Sequence, residues 1–246
     1  WVGGWALFLF MVDGGPGVYG RVMFSAHMAE HMMLSMVIPI FLVRGAVVTL
    51  ALRALPKRPD KTLGPRELIL ASVHSRVLNI VANPAIIATI VFGTLILFYY
   101  TGWFEFALTT HTGHVTMVIH FLLSGYLFAW ALVGIDPGPR KWPAPIRLLV
   151  LLVTIAFHAF FGVALMTGTD ILGGDFFSRV NLPYVSNILV DQQSAGTVAW
   201  GVGEVPTLVL TMLIALEWYR TDKKDAQRQE RQAQRDGDAE LNAYND

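Results

Sequence analysis

The chain has 246 residues, of which 54% are hydrophobic and 15% charged, and its formal net charge is zero. Soluble domains carry about 25% charged residues, and here the apolar residues form long blocks, so we interpret the chain as an integral membrane protein. The zero net charge excludes a strongly basic surface that would bind nucleic acid. The absence of cysteine excludes disulfides, iron–sulfur clusters and thiolate metal sites, so a soft metal must be held by histidine, methionine or carboxylate.

The first residues, WVGGWALFLFMV, are a short apolar run that we interpret as a partial first helix over residues 1–12. The run has neither an initiator methionine nor a charged leader region, so we expect it to be the outer half of a helix from a longer precursor. Five longer apolar segments, each near the roughly 20 residues that a bilayer requires, follow at 22–43, 84–101, 113–134, 147–167 and 195–219. The prediction is an all-α, polytopic transmembrane bundle of about six to seven spans, forming one domain over residues 1–219.

Three other segments are predicted to lie outside the bilayer. Residues 66–82 alternate charged and apolar residues at helical spacing, which favours a helix along the cytoplasmic interface. Residues 220–246 mix both charge signs with glutamine, which is typical of a solvated polar tail. The loop 168–190, on the opposite side, is rich in glycine, aspartate and aromatic residues and could serve as a lid or a docking loop.

The basic residues predict the orientation of the bundle. Segments 44–76, 136–147 and 220–235 hold seven, three and six Lys or Arg residues, which is sixteen of the 18 in the chain. Alternation of the five full spans places these segments on one side. The positive-inside rule then places that side, and the C-terminus with it, in the cytoplasm.

Six of the seven histidines fall on the outer side of this topology, and only His74 falls on the cytoplasmic side. At 1.5 Å of rise per residue, four polar groups from four different spans share a depth of about 10–14 Å below the outer surface. Four further polar groups lie above that layer. The deeper layer contains His31, His120, His158 and Glu204, and the upper set contains His27, His111, His114 and Asp191.

These groups are candidates for a metal site. A polar side chain at this depth is costly unless it faces the bundle interior, so we expect them to face inward, where they could meet. Neutral imidazole and thioether together suit copper, and Cu(I) in particular, and methionines such as Met28 and Met117 lie around both layers. Glu204 could be a ligand or could fix the tautomer of an imidazole.

Each group also has a simpler interpretation. A single intramembrane histidine such as His158 often only bridges two helices, and His111 and His114 could be interfacial. A methionine at helical spacing usually fills a gap in the core. The motif HMAEH differs from the metalloprotease pattern H-E-x-x-H because Glu30 adjoins the second histidine, so protease chemistry is not indicated. The shared depth of four groups is what favours a site.

The block DQQSAGTVAWGVGEVP opens the last span. Asp191 is placed like an N-cap, and the glycines Gly196, Gly201 and Gly203 would permit close helix packing. Pro206 is expected to kink the helix beside Glu204.

Three blocks carry a family resemblance: HMAEHMMLSMVIPIFLVRGAVVTLALRALP, HFLLSGYLFAWALVGIDPGPRKWPAPIRLLVLLVTIAFHAFFGVALM and DQQSAGTVAWGVGEVPTLVL. They resemble the CtaG-type cytochrome c oxidase assembly proteins of bacterial plasma membranes, and the resemblance extends from about Phe24 to Trp218. Some members carry this domain behind a CopD-like copper-resistance domain. The pattern includes histidines at the positions of His27, His31, His114, His120 and His158 and the block from Asp191 to Pro206.

The resemblance implies an assembly factor that binds copper on the outer side of the membrane and delivers it to oxidase subunits. No nucleophile or general acid is required, so we do not predict an enzyme. Three other hypotheses stay open at this point. They are a haem-binding or electron-transfer membrane protein, a metal or proton transporter that uses buried His and Glu, and a structural chaperone whose polar residues serve packing.

Overall fold

The structure is a computed structural model that describes residues 1–58, 63–138, 142–180, 182–183, 185 and 187–236. Within these ranges every regular element is helical, which confirms the predicted all-α class. Three of the basic residues that predict the orientation, Lys61, Arg140 and Lys141, and the end of the polar tail at 237–246 lie outside the described residues.

The described helices follow one another with short connections. In chain order they are α1 (Val2–Asp13), α2 (Gly15–Gly20), α3 (Phe24–Met32), a π-helical turn (Met33–Val37), α4 (Ile38–Arg44), α5 (Val47–Ala54), α6 (Pro65–Val73), α7 (Arg76–Val81), α8 (Pro84–Tyr99), α9 (Gly102–Thr109), α10 (His111–Val133), α11 (Ala144–Thr167), α12 (Phe176–Val180) and α13 (Ile188–Asp236).

Four helical segments are long and apolar enough to cross a membrane: Phe24–Ala54, His111–Val133, Ala144–Thr167 and Ile188–Arg235. A fifth crossing is present if α8 and α9, which meet at a bend of 75°, form one broken span. Many large apolar side chains face outward on these segments, as expected of a lipid-facing surface. The count of six to seven spans stays a prediction, because α1 has 12 residues against the roughly 20 that a full span requires.

The segment predicted as one interfacial helix over residues 66–82 is divided into two helices. α6 ends at Val73, and α7 begins at Arg76. The cause of the restart is local: the Ser75 hydroxyl accepts a hydrogen bond from the Leu78 amide at 3.1 Å and caps α7.

Polar contacts join the helices at the end of the bundle where the basic segments lie. Asp136, which follows α10, accepts hydrogen bonds from the amides of Val48 and Thr49 at 3.2 and 2.8 Å and thus caps α5. Arg147 donates to the Leu132 carbonyl at 2.7 Å and to the Glu217 carboxylate at 3.0 Å, which ties the start of α11 to α10 and α13. These contacts place the described parts of the three basic segments at one end of the molecule, as the alternation of spans predicts.

Close backbone approach fixes the packing of α11 against α13. A Cβ atom added to Gly196 would lie 2.6 Å from the Gly162 carbonyl oxygen, so both positions require glycine. This small-residue crossing confirms the expected role of Gly196. Gly201 has open space around it, and a Cβ atom on Gly203 would only reach ordinary contact distance from His158, at 3.4 Å.

Candidate metal centre in the outer half of the bundle

His27 and His31 form the centre of the candidate site. Their i, i+4 spacing on α3 places both side chains on one face of that helix, and both residues are fully buried. The two imidazole ring centroids are 4.2 Å apart. The structure therefore confirms that these two histidines face inward.

Both ring nitrogens of His31 have a neighbour. Nδ1 lies 2.7 Å from the Tyr99 hydroxyl, and Nε2 lies 3.0 Å from the sulfur of Met117. The same hydroxyl lies 3.7 Å from the sulfur of Met28. When the Tyr99 hydroxyl donates a hydrogen bond to the Met28 sulfur, it accepts one from the protonated Nδ1 of His31. The lone pair of His31 Nε2 then points at the Met117 sulfur. That tautomer presents a nitrogen and a sulfur as a pair of donors for a soft metal.

His27 keeps one nitrogen without a partner. Its Nδ1 lies 3.1 Å from the Gly20 carbonyl oxygen, which fixes the ring, whereas its Nε2 is buried and has no hydrogen-bond partner. A buried polar nitrogen that lacks a partner costs about 1–3 kcal/mol. Nε2 is therefore the ring nitrogen of His27 that has no partner within the described part of the chain.

Aromatic rings enclose both histidines. The His31 ring lies 4.3 Å from the ring of Phe121, and the His27 ring lies 5.2 Å from the ring of Phe104. Phe177 of α12 packs on Phe24 at 5.5 Å, and Phe24 packs in turn on Tyr99 at 5.9 Å. The surroundings are buried and largely aromatic, so an electrostatic or coordinate interaction here is stronger than at an exposed site.

The π-helical turn Met33–Val37 directly follows His31 and α3. Pro39 has no amide proton, so it cannot donate to the Ser35 carbonyl four residues earlier, and the helix widens at this point. Ser35 donates instead from its hydroxyl to the His31 carbonyl at 2.7 Å. The freed Ser35 carbonyl lies against Gly125 of α10, where a Cβ atom would collide with it. This contact sets the position of α3 against α10 beside His31.

His114 and His120 lie near this pair but are less buried. His31 lies within electrostatic range of His27, His114 and His120. His114 and His120 are half-buried, and the Nε2 atom of each is buried and has no hydrogen-bond partner. His120 lines a separate pocket between α8, α9 and α10 together with Met117.

His158 occupies a different environment from His31. It is buried on α11, its Nδ1 lies 3.1 Å from the Thr154 carbonyl oxygen of its own helix, and its ring packs edge-on against Phe92 at 5.5 Å. His158 thus contacts α8 and lies against Gly203 of α13. The depth that the sequence predicts for both His158 and His31 does not bring His158 into the His27–His31 pair.

Two carboxylates have roles other than those expected. Glu204 is exposed on α13, where it accepts a hydrogen bond from the Trp200 indole of the same helix, so the expectation that it faces inward is wrong. Asp191 accepts hydrogen bonds from the Phe24 amide at 2.7 Å and from the Ser25 side chain. Asp191 therefore caps α3, a helix distant in sequence, rather than its own helix. His111 is exposed at the start of α10.

Within the described part of the chain, no three His, Asp or Glu side chains come close enough to hold one metal ion. The soft donor atoms in this part of the bundle are the Met117 sulfur and the Nε2 atoms of His31, 3.0 Å from that sulfur, and of the adjacent His27. Two imidazoles and a thioether suit Cu(I), which accepts soft ligands and low coordination numbers.

Sequence reasoning missed Tyr99, which orients His31, and Glu30. Glu30 is fully buried on α3, and neither of its carboxylate oxygens has a hydrogen-bond partner. The signal for Glu30 was its place between the two histidines. Tyr99 gave no such signal, since a tyrosine at the end of an apolar helix is also typical of a membrane interface.

The chain matches the model of the family described as cytochrome c oxidase caa3 assembly factor over residues 1–221. It is 43% identical to an uncharacterized protein of Mycobacterium bovis and 42% identical to one of Mycobacterium leprae, in each case over 247 aligned positions and 100% of this chain. The aligned region covers 37% and 38% of those two relatives, so the chain spans less than half of their length. No solved structure has significant similarity to it. The chain therefore belongs to the cytochrome c oxidase caa3 assembly factor family.

Proposed function

We propose that this protein binds copper in the outer half of the membrane and delivers it to the copper centre of cytochrome c oxidase. The family membership gives the role in oxidase assembly, and the copper step is the part that we propose. One observation carries it. His31 Nε2 lies 3.0 Å from the Met117 sulfur, beside a buried His27 Nε2 that has no hydrogen-bond partner.

The residues around the site suit temporary binding. Tyr99 fixes the orientation of His31 through Nδ1, the role that carboxylates and carbonyls often have in metal sites. Both histidines are fully buried among aromatic rings, which limits the access of bulk solvent to a bound ion. Two imidazoles and one thioether leave the ion short of ligands, so a subunit with a fuller ligand set could take it over.

The site favours copper over the alternatives. Haem requires a flat cavity between two axial ligands, whereas His27 and His31 stand on one helix with ring centroids 4.2 Å apart and aromatic rings packed around them. A proton or ion pathway would need inward polar groups along the depth of the bundle, whereas Glu204 faces outward and His158 packs against Phe92, apart from the His27–His31 pair. A packing role alone would not explain a buried histidine nitrogen without a partner.

The proposal is tested in cells that depend on this protein for oxidase assembly. We expect His31→Ala and Met117→Leu to leave the oxidase protein present but deficient in copper, as measured by its copper spectrum and by metal analysis of isolated membranes. His74→Ala, which changes an exposed histidine on the opposite side, should leave oxidase copper at the wild-type level. Normal copper loading in both site variants, at equal protein amounts, would refute the proposal.

A further inference from the structure

Glu204 is an exposed carboxylate inside the membrane-spanning part of α13. Its depth follows from its neighbour Gly203, where an added Cβ atom would lie 3.4 Å from the His158 ring. His158 lies nine residues before the end of α11 at Thr167, which is about 14 Å along the helix axis. Because the hydrocarbon core of a bilayer is about 30 Å thick, Glu204 lies within it.

The surface around Glu204 is otherwise apolar. Val205 and Leu208, which follow it on α13, are 63% and 60% exposed, and Phe160 on the neighbouring helix α11 is 75% exposed. Large apolar side chains exposed at this depth contact hydrocarbon. An ionisable side chain within a membrane almost always faces the bundle interior or pairs with another group, because its exposure to hydrocarbon is costly. Glu204 therefore calls for a partner outside the bundle.

The bundle itself satisfies only part of this carboxylate. Among the described residues, its hydrogen-bond donor is the indole N–H of Trp200 on the preceding turn of α13. An ionised carboxylate has room for about four hydrogen bonds. No Lys or Arg occurs in residues 148–178 or 180–219, so neither α11 nor the membrane part of α13 brings a positive charge to Glu204. A lipid headgroup lies at the surface, too far away for a glutamate side chain to reach.

The face of α13 that carries Glu204 has room for another helix. Gly201, one turn earlier, is exposed, and a Cβ atom added to it would meet nothing within 4 Å. Ser194 and Thr197 continue this face and are also small and exposed. Transmembrane helices approach one another closely where small residues line the contact, and polar side chains hydrogen-bond across it. The space admits a helix, and the carboxylate determines which kind of helix fits.

We propose that the face of α13 defined by Thr197, Gly201, Glu204 and Leu208 docks a transmembrane helix of an oxidase subunit, and that a Lys or Arg side chain of that helix pairs with Glu204. A second copy of this chain is a poorer partner, because a two-fold axis through this face would oppose two carboxylates and bring no cation. The inference rests on the family's role in oxidase assembly and does not depend on copper.

The test uses the full chain in cells that depend on it for oxidase assembly, with the photoreactive amino acid p-benzoylphenylalanine in place of Leu208. We expect illumination to join the chain to an oxidase subunit, at a transmembrane helix that carries a Lys or Arg. Glu204→Leu and Glu204→Gln should each reduce this product on the order of tenfold, since neither keeps the charge. The same photoreactive amino acid at Leu123, an exposed position on α10, is the control and should give no such product.

Gly201→Leu, which fills the space for the docking helix, should also abolish the product, and thermal unfolding of the purified variant shows that it is folded. Gly93→Leu, at an equally open glycine of α8, is the matched control and should retain the product. Joint substitution by Glu204→Lys and by a glutamate in place of the partner's basic residue should restore the product that Glu204→Lys alone loses.

Three results would overturn the inference: a product with lipid alone, a product with a second copy or with any other protein, or an undiminished product in Glu204→Gln. Copper content is measured on the same variants. His31→Ala should lack copper under the proposed function and still form the product, and Glu204→Leu should keep its copper. Loss of copper from Glu204→Leu with the product intact would also overturn the inference, whereas normal copper in His31→Ala would refute the proposed function alone.

Discussion

At the scale of single residues, the contact between Tyr99 and His31 decides which imidazole nitrogen is available to a metal. The hydroxyl lies 2.7 Å from Nδ1, and the Met117 sulfur faces Nε2. Without the Tyr99 hydroxyl, His31 could adopt either tautomer and its imidazole ring could rotate. Loss of a partner of this kind typically costs 10–100-fold in metal affinity.

We therefore expect Tyr99→Phe to weaken Cu(I) binding by roughly tenfold or more, while the ring continues to pack on Phe24 and Phe104. Competition titration with a Cu(I) chelator measures this change. Tyr126→Phe, on α10 and half-buried, serves as the control and should have the wild-type affinity. An unchanged affinity in Tyr99→Phe would show that the hydroxyl does not orient His31.

Asp191 gives a second prediction at this scale, because its carboxylate caps α3. Asp191→Ala should lower the free energy of unfolding by about 0.5–2 kcal/mol, the usual cost of a lost N-cap, and copper per folded molecule should not change. Thermal unfolding with metal analysis separates the two effects. Asp170→Ala is the control, since Gln192 contacts Asp170 at its backbone carbonyl, which the substitution keeps. Loss of copper without loss of stability would mean that Asp191 is a ligand after all.

At the scale of helices, the π-helical turn and Gly125 set the position of α3 against α10. A Cβ atom on Gly125 would collide with the Ser35 carbonyl, which is backbone and cannot rotate away. The turn itself follows from Pro39, which cannot donate a hydrogen bond to that carbonyl. His31 lies one helical turn before Ser35, so a shift here moves the candidate site.

Gly125→Ala should therefore lower the free energy of unfolding by about 1–3 kcal/mol and weaken copper binding as well. Gly93→Ala is the matched control in a membrane helix, because an added Cβ there meets nothing within 4 Å. That control should be neutral or slightly stabilising, since alanine is the better helix former. Equal stability of the two variants in a thermal unfolding assay would contradict the packing that we describe.

Helix geometry also explains what sequence could and could not predict. Depth along a span follows from 1.5 Å of rise per residue, and the outer layer of His31, His120 and His158 stays a prediction made in this way. Rotation about the helix axis was not predictable, because each residue turns the side chain by about 100° and the facing partner decides which side is buried. The Gly162–Gly196 contact rotates α13 so that Glu204 faces outward. The inward position of His27 and His31 was predictable because an i, i+4 pair must share one face.

At the scale of the whole molecule, polar contacts separate two ends of the bundle. Asp136, Arg147 and Glu217 lie at the end with the basic segments, and Asp191 and the Arg179–Glu105 pair lie at the end with the candidate site. The positive-inside rule predicts that the first end is cytoplasmic. Copper delivery to an outer-facing oxidase centre depends on that orientation.

The lack of native cysteine makes the orientation easy to test by single-cysteine labelling. Ser178→Cys on α12 and Lys223→Cys on α13 are both exposed positions at opposite ends. We expect a membrane-impermeant maleimide to label the first in intact cells and the second only after the membrane is opened. The reverse pattern would invert the topology and place the candidate site on the cytoplasmic side.

The central claim is that His31 and Met117 hold copper, and the copper content of the purified protein tests it most directly. After loading with Cu(I) and removal of excess, we expect about one ion per chain in the wild type, with strong loss in His31→Ala and Met117→Leu. His158→Leu, which changes a buried histidine in a different environment, should retain the ion. Equal copper in the wild type and in His31→Ala, or a loss confined to His158→Leu, would contradict the account.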